Sequence, residues 1–171
     1  MLESARALTG FEGPAVNNLV ISHRHRILLN RQLNKAFLPD NVTSTFIRAK
    51  PKKGQMCAAQ SMFIWVGIEL LGCTQASRKG IRNNVLYRVT ALGEDSATVI
   101  STQSEGEPIE LTLSQVAEIL RLSFAQTYAS VQGTEFSDTL RCHDVTNPHF
   151  TLRHLFVAMS RAKECSKLAI A

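Results

Sequence analysis

Between residues 42 and 112 the sequence breaks into short β-like runs, "VTSTFIRA", "QSMFIWV", "IELLGCT", "VLYRVTAL", "SATVIST" and "PIELTL", with Gly, Asn, Asp and Pro between them. Turn signals at such intervals predict a small antiparallel sheet or barrel. The clearest hairpin is "LYRVTALGEDSATVIST", its turn carried by Gly93, Glu94 and Asp95. On either side the texture differs. "NNLVISH" (17–23) is a short apolar run with β-branched residues, and "RHRILLNRQLNKAF" repeats Leu29, Leu33 and Phe37 at i, i+4 and i+8. That is a strand feeding a helix, which Pro39 and Asp40 then stop. Further on, Leu113 to Leu120 reads as a helix, "TLRCHDV" as a strand, "TLRHLFVAMSRA" as a helix and "SKLAIA" as a closing strand. The pattern is that of an α/β domain, residues 1–45 and 113–171, interrupted by a β-rich insertion over 46–112 that leaves and re-enters its host at neighbouring points.

With 171 residues, 44% of them hydrophobic, the chain is long enough for one good core, or one core and a small satellite. It contains neither an apolar run of membrane-spanning length nor a secretory signal, so an intracellular setting, cytoplasmic or nuclear, is the default expectation, with a viral source left open. The four cysteines are scattered without a CxxC pair and read as reduced thiols. The net charge of +5 is concentrated in "HRHR", "RAKPKK" and "RKGIR", a distribution that suits either a polyanion or a solvated surface. Lys50, Lys52, Lys53, Arg78, Lys79, Arg82 and Arg88 lie in or beside the insertion. There, Lys79 and Arg82 among them would neutralise the phosphates of a single strand without reading its sequence, or serve as ordinary surface charges. Phe63 and Trp65, two apart on one strand face, read as barrel core, with a base-stacking platform as the alternative. The histidines (His23, His25, His143, His149 and His154) show no metal-ligand spacing and read as surface or internally bonded groups.

Two segments carry candidate chemistry. In "TLRHLFVAMSRAKE", Leu152, Leu155, Phe156 and Met159 form a helical apolar stripe expected to dock on a sheet, and Arg161 sits near the C-terminal end, where a cation is favoured in any case. In "FAQTYASVQGTEF", Thr127, Gln132, Gly133 and Glu135 bring polar groups of little burial value into a short segment between apolar runs. Neither is specific alone.

Taken in order and with their spacing, the two resemble the last two motifs of superfamily 1 helicases of the RecD-like and Pif type. The first motif has the form T-x-H-K-x-Q-G-x-E-F, matched here at Thr127, Gln132, Gly133, Glu135 and Phe136. The second has the form Y-V-A-x-S-R-A, matched at Val157, Ala158, Ser160, Arg161 and Ala162, with Phe156 in the aromatic place. The family's His-Lys pair is Ala129 and Ser130 here. Upstream, "NLVISHRHRILLNRQLN" looks like the strand and helix that open the family's second motor domain, with Asn30 at its usual asparagine, and "VGIELLGCTQASRKGIRNNVLYRV" looks like the entry to an SH3-like barrel inserted there.

The resemblance implies a RecA-like α/β motor domain of the P-loop NTPase type, carrying a small SH3-like β-barrel insertion, as the C-terminal half of an ATP-dependent DNA helicase. No G-x-x-x-x-G-K-[ST] and no strand ending in an acidic pair occurs in these 171 residues, so ATP and Mg2+ belong only to the complete two-domain enzyme, and this chain alone holds neither cofactor nor metal. The implied partners are single-stranded DNA and an N-terminal ATP-binding half, with no membrane. By the same resemblance Arg161 is an arginine finger, Gln132, Gly133, Glu135 and Arg26 face the nucleotide, and Thr127 and Ser130 face the nucleic acid. For Arg26 a solvated helix start is the competing reading. A protein of another class, a non-catalytic nucleic-acid-binding or scaffold protein derived from such a helicase, is the alternative.

Overall fold

The computed structural model describes residues 14–49, 60–73, 79–103, 106–131 and 133–171. Lys50, Lys52, Lys53, Cys57, Arg78 and Gln132 lie outside them. In chain order the elements are β1 (Asn17–Val20), α1 (His23–Ala36), β2 (Ser44–Ile47), β3 (Met62–Trp65), β4 (Glu69–Gly72), β5 (Leu86–Leu92), β6 (Ser96–Ser101) and β7 (Ile109–Thr112). They continue with α2 (Leu113–Ile119), β8 (Leu120–Leu122), β9 (Ala125–Thr127), β10 (Leu140–Cys142), α3 (Leu152–Arg161), one 3-10 turn (Cys165–Lys167) and β11 (Leu168–Ile170). Two compact units emerge: residues up to Asn30 with Phe124–Ala171, and Arg31–Ser123. Positions 45 and 113 both fall inside the second.

The first unit is built on a parallel sheet in the order β11-β10-β1-β9. Buried sheets of this kind need apolar residues on both faces, and Leu19, Val20, Leu140 and Cys142 supply them. Tyr128, Val131, Phe136, Val145 and Ala158 complete the core around Leu19 and Leu140.

The buried face of α1 differs from the expected Leu29, Leu33 and Phe37 stripe. Leu33 is buried, but Leu29 and Phe37 are only half-buried, and the deeply covered positions are Arg26, Asn30 and Asn34. A polar face survives burial only if its groups are bonded. Asn30 meets this condition by gripping a single residue: its Nδ2 donates to the Ala125 carbonyl and its Oδ1 accepts from the Ala125 N–H, both at 2.9 Å. Asn34 does the same to Phe63, at 2.9 and 2.8 Å, within the second unit. Arg26, being buried, is not a solvated helix start.

The stripe expected on α3 divides as well. Leu155 is buried together with Ala158, whereas Leu152, Phe156 and Met159 are 62%, 71% and 54% exposed. A ten-residue helix lying on one sheet covers a narrow strip, and the strip chosen runs through Leu155 and Ala158 rather than through the larger side chains.

The second unit contains a five-stranded antiparallel sheet, β7-β6-β5-β4-β8, and a two-stranded ribbon, β2-β3. The hairpin expected around Gly93 is present, with the Gly93 N–H donating to the Ser96 carbonyl at 2.8 Å and a bulge between Val89 and Ala91. α2 starts on a capping box in which Thr112 and Gln115 bond each other's backbone N–H groups. Ile64, Trp65, Leu70, Ile81, Val89, Val99, Leu111, Val116 and Leu120 are buried here. Among the described residues no helix is long and apolar enough to cross a membrane.

The Asn30 grip sets an expectation for stability. Replacing Asn30 by alanine leaves a buried N–H and a buried carbonyl of Ala125 without partners, at a cost of about 2–5 kcal/mol. The measurement is the shift in urea midpoint at constant slope, and a shift under a tenth of that size would show that water replaces the amide.

Candidate functional site

In open α/β sheets ligands meet the chain outside the carboxyl ends of the strands. Here β1 lies between β9 and β10, and the three strands end together. The Val20 carbonyl accepts from Tyr128 N–H at 3.1 Å and the Leu19 carbonyl from His143 N–H at 2.9 Å. Beyond β1, the Ser22 hydroxyl accepts the His25 N–H at 3.1 Å and so caps α1. Asp144 sits at φ 63°, a left-handed conformation that Asp tolerates better than most residues. One of its oxygens is 2.8 Å from His25 Nδ1, and the other accepts the Ile21 N–H at 2.8 Å. The carboxylate therefore joins the end of β10 to the start of α1.

Behind this pair, His143 Nε2 lies 2.9 Å from Asn18 Oδ1, while Asn18 Nδ2 donates to the Ala15 and Phe124 carbonyls at 3.0 Å each. Burial, reinforced by the neighbouring His25 and Arg141 and opposed by Asp144, holds the His143 imidazole down at about 4. Burial likewise raises the Tyr128 phenol and pushes the Cys142 thiol up to about 11. Tyr128 stays a donor, to the His143 carbonyl at 2.9 Å.

The segment after β9 turns back immediately. Ser130 Oγ accepts the Thr127 N–H at 3.2 Å and donates to the Thr127 carbonyl at 2.9 Å, so its hydroxyl closes the turn from both sides. Thr127 itself is buried. Gly133 follows at φ 81° with no atom within 4 Å of where a Cβ would stand, so its requirement is conformational rather than steric.

The two motifs read from the sequence meet in a backbone bridge. Phe136 N–H donates to the Arg161 carbonyl at 2.8 Å and Lys163 N–H to the Phe136 carbonyl at 3.1 Å. Glu135 and Arg161 are thereby fixed to one local frame. Glu135 is exposed, with Lys163 Nζ 3.8 Å away, a pair too wet to constrain it. Arg161 is half-buried; among the described residues its Nε, shielded from solvent, has no hydrogen-bond partner, and no carboxylate lies within ion-pair distance. Ser160 folds back on its own helix, donating to the Val157 carbonyl at 2.9 Å.

Of the other residues expected to act, Arg26 lies in the first turn of α1, beyond the end of β1, and Gln132 falls outside the described residues. Lys79 and Arg82 belong to the second unit, exposed in the β4–β5 connection, where Arg82 N–H donates to Tyr87 Oη at 2.9 Å. Among the described residues no three His, Cys, Asp or Glu side chains converge on a metal position. Sequence reasoning noticed His25 and His143 but missed Asp144, whose only local signal is its place just after an apolar strand.

No protein-family model matches the chain, and no curated protein does. Solved structures do. A Pif1 from Bacteroides bound to single-stranded DNA superposes with a TM-score of 0.67 at 20% identity, over 99% of this chain and 44% of that one. A structure of DNA unwinding at forked duplex DNA by two coordinating Pif1 helicases gives 0.65 at 22% identity, over 99% and 42%. The Pif1 helicase of Candida albicans gives 0.63 at 14% identity, over 98% and 49%. The chain thus has the fold of a segment of Pif1 helicases and spans less than half their length.

The displaced His143 imidazole fixes a pH dependence. Above its ordinary value of 6.5 the group is neutral in folded and unfolded chains alike; as pH falls from 6.5 towards 4, the unfolded chain takes up the proton first. Stability should therefore decline through that window. Urea midpoints at pH 7.5, 5.5 and 4.5 measure the decline, and His143→Gln should make it shallower.

Proposed function

We propose that this chain is the C-terminal motor half of an ATP-dependent DNA helicase, a RecA-like domain with an SH3-like insertion that works with a half carrying the phosphate loop. The observation that carries the reading is the Phe136–Ala162 bridge, which ties the segment of Glu135 to a half-buried arginine whose Nε has no hydrogen-bond partner among the described residues. A cation so held is suited to an anion delivered from outside the chain. The exposed Leu152, Phe156 and Met159 on the helix that ends in Arg161 support a second surface arriving there.

A nucleoside triphosphate fits these residues. Arg161 would meet the polyphosphate, and Glu135, with Gln132 and Gly133 in the same segment, would face the ribose; Arg26, expected as a second cation, is buried and does not present its guanidinium to a ligand. Bound ATP supplies the phosphoanhydride whose hydrolysis drives movement. The contribution of Arg161 is to neutralise charge that grows on the transferred oxygens, an effect worth about 10³ to 10⁵ in rate in well-studied NTPases. Single-stranded DNA would follow the basic surface of the second unit, with Lys79 and Arg82 on its phosphates.

One observation favours a second reading, a non-catalytic DNA-binding or scaffold protein derived from a helicase. Ser130, which stands where related motors have a lysine, spends its hydroxyl on its own turn.

The purified chain should show no ATPase above background, with or without DNA, and its weak binding to single strands should fall steeply with salt. In a complex reconstituted with a phosphate-loop half, Arg161→Ala should leave DNA binding intact and cut hydrolysis by about 10³ or more. Arg161→Lys should rescue little, because a point charge lacks the planar fork. Wild-type hydrolysis by the reconstituted Arg161→Ala complex would reduce Arg161 to a helix end and favour the scaffold reading.

A further inference from the structure

We propose that the β2–β3 ribbon is a base-stacking platform for single-stranded nucleic acid, with Phe46 and Phe63 as its aromatic surface and Arg48 as the cation beside them. The inference rests on the single-strand-binding part of the reading above and gives it a surface.

Phe46 and Phe63 are direct cross-strand partners, so their side chains leave the ribbon on the same face. Their ring centroids are 4.9 Å apart with the planes tilted by 51°. Phe46 is nevertheless 52% exposed, and Phe63 is half-buried. The packing that takes up Trp65, two residues along β3, stops short of these rings. Leaving a phenyl ring this wet forgoes burial that most core phenylalanines obtain. The base of the platform is anchored: Asn34 holds both backbone groups of Phe63, which fixes the strand position from which its ring projects.

Charge selects the occupant. From Asn41 to Ile68 the sequence carries Arg48, Lys50, Lys52 and Lys53 and no carboxylate. Arg48, directly after β2, is exposed and has no ion-pair partner among the described residues. An apolar protein surface would gain little from a ribbon whose exposed Arg48 has no ion-pair partner among the described residues, whereas a nucleic-acid strand brings π-faces and phosphates together. Stacking on an aromatic ring is tolerant of sequence because every base has a π-face, and cations alongside hold the backbone.

The test separates stacking from charge. The whole chain is titrated, by fluorescence anisotropy, against labelled oligothymidylate and against an abasic oligonucleotide with the same number of phosphates. Wild type should prefer the thymidylate by roughly tenfold, the scale of one base–aromatic stack. Phe46→Ala should bring the thymidylate down to the abasic level and leave abasic binding unchanged, while Phe46→Trp should keep the preference. Arg48→Ala should weaken both ligands and flatten the salt dependence. Equal affinity of wild type for the two oligonucleotides, or an undiminished preference in Phe46→Ala, would overturn the platform while leaving charge-driven binding in place. Failure of wild type to bind either one would overturn the single-strand reading as well.

Discussion

The position of the candidate site follows from one buried amide. Asn30 bonds both backbone groups of Ala125, the first residue of β9. A two-point grip fixes orientation as well as distance, which a single hydrogen bond or an apolar contact does not. β9 is only three residues long, so what is fixed at Ala125 is carried to Thr127 and into the turn that Ser130 closes. β1 lies on one side of this strand and pairs in turn with β10, whose far end supplies Asp144 to the start of α1. Polar side chains therefore do in this unit what a hydrophobic core does less well: they set register and direction.

Much of this was legible as pattern and little of it as chemistry. Strands β1 to β7, β10 and β11, the Gly93 hairpin and the helix over 152–161 could be read because turn residues and apolar spacing are local signals. By contrast, β8 and β9, three residues each, gave no such signal, and Leu120 belongs to β8 and not to the helix before it. The buried face of α1 could not be read from spacing, since Asn30 and Asn34 are polar and only their backbone partners, far away in sequence, make burial tolerable. Asn30 was marked through family resemblance alone. Asp144 escaped for a similar reason: its partners, Ile21 and His25, are more than a hundred residues away.

The helix α3 was misread in an instructive way. Periodicity reports that a helix has an apolar side, but not what covers it. Leu155 and Ala158 face the chain's own sheet, while Leu152, Phe156 and Met159 remain exposed. One stripe was taken where two strips exist. An exposed strip of large apolar groups is unusual on a surface facing only water. The same geometry thus explains the misreading and supports the proposed half-motor.

Arg161 can be weighed on similar grounds. An arginine that merely complements a helix terminus points its N–H groups at the last carbonyls or into solvent. Two of the last carbonyls of α3 are taken by other donors: that of Ala158 by Ala162 N–H and that of Arg161 by Phe136 N–H. Its Nε is shielded from water and has no acceptor among the described residues. An unsatisfied buried donor costs about 1–3 kcal/mol, and more on a charged group. An anion that arrives with a partner surface, as proposed above, would give this buried N–H an acceptor.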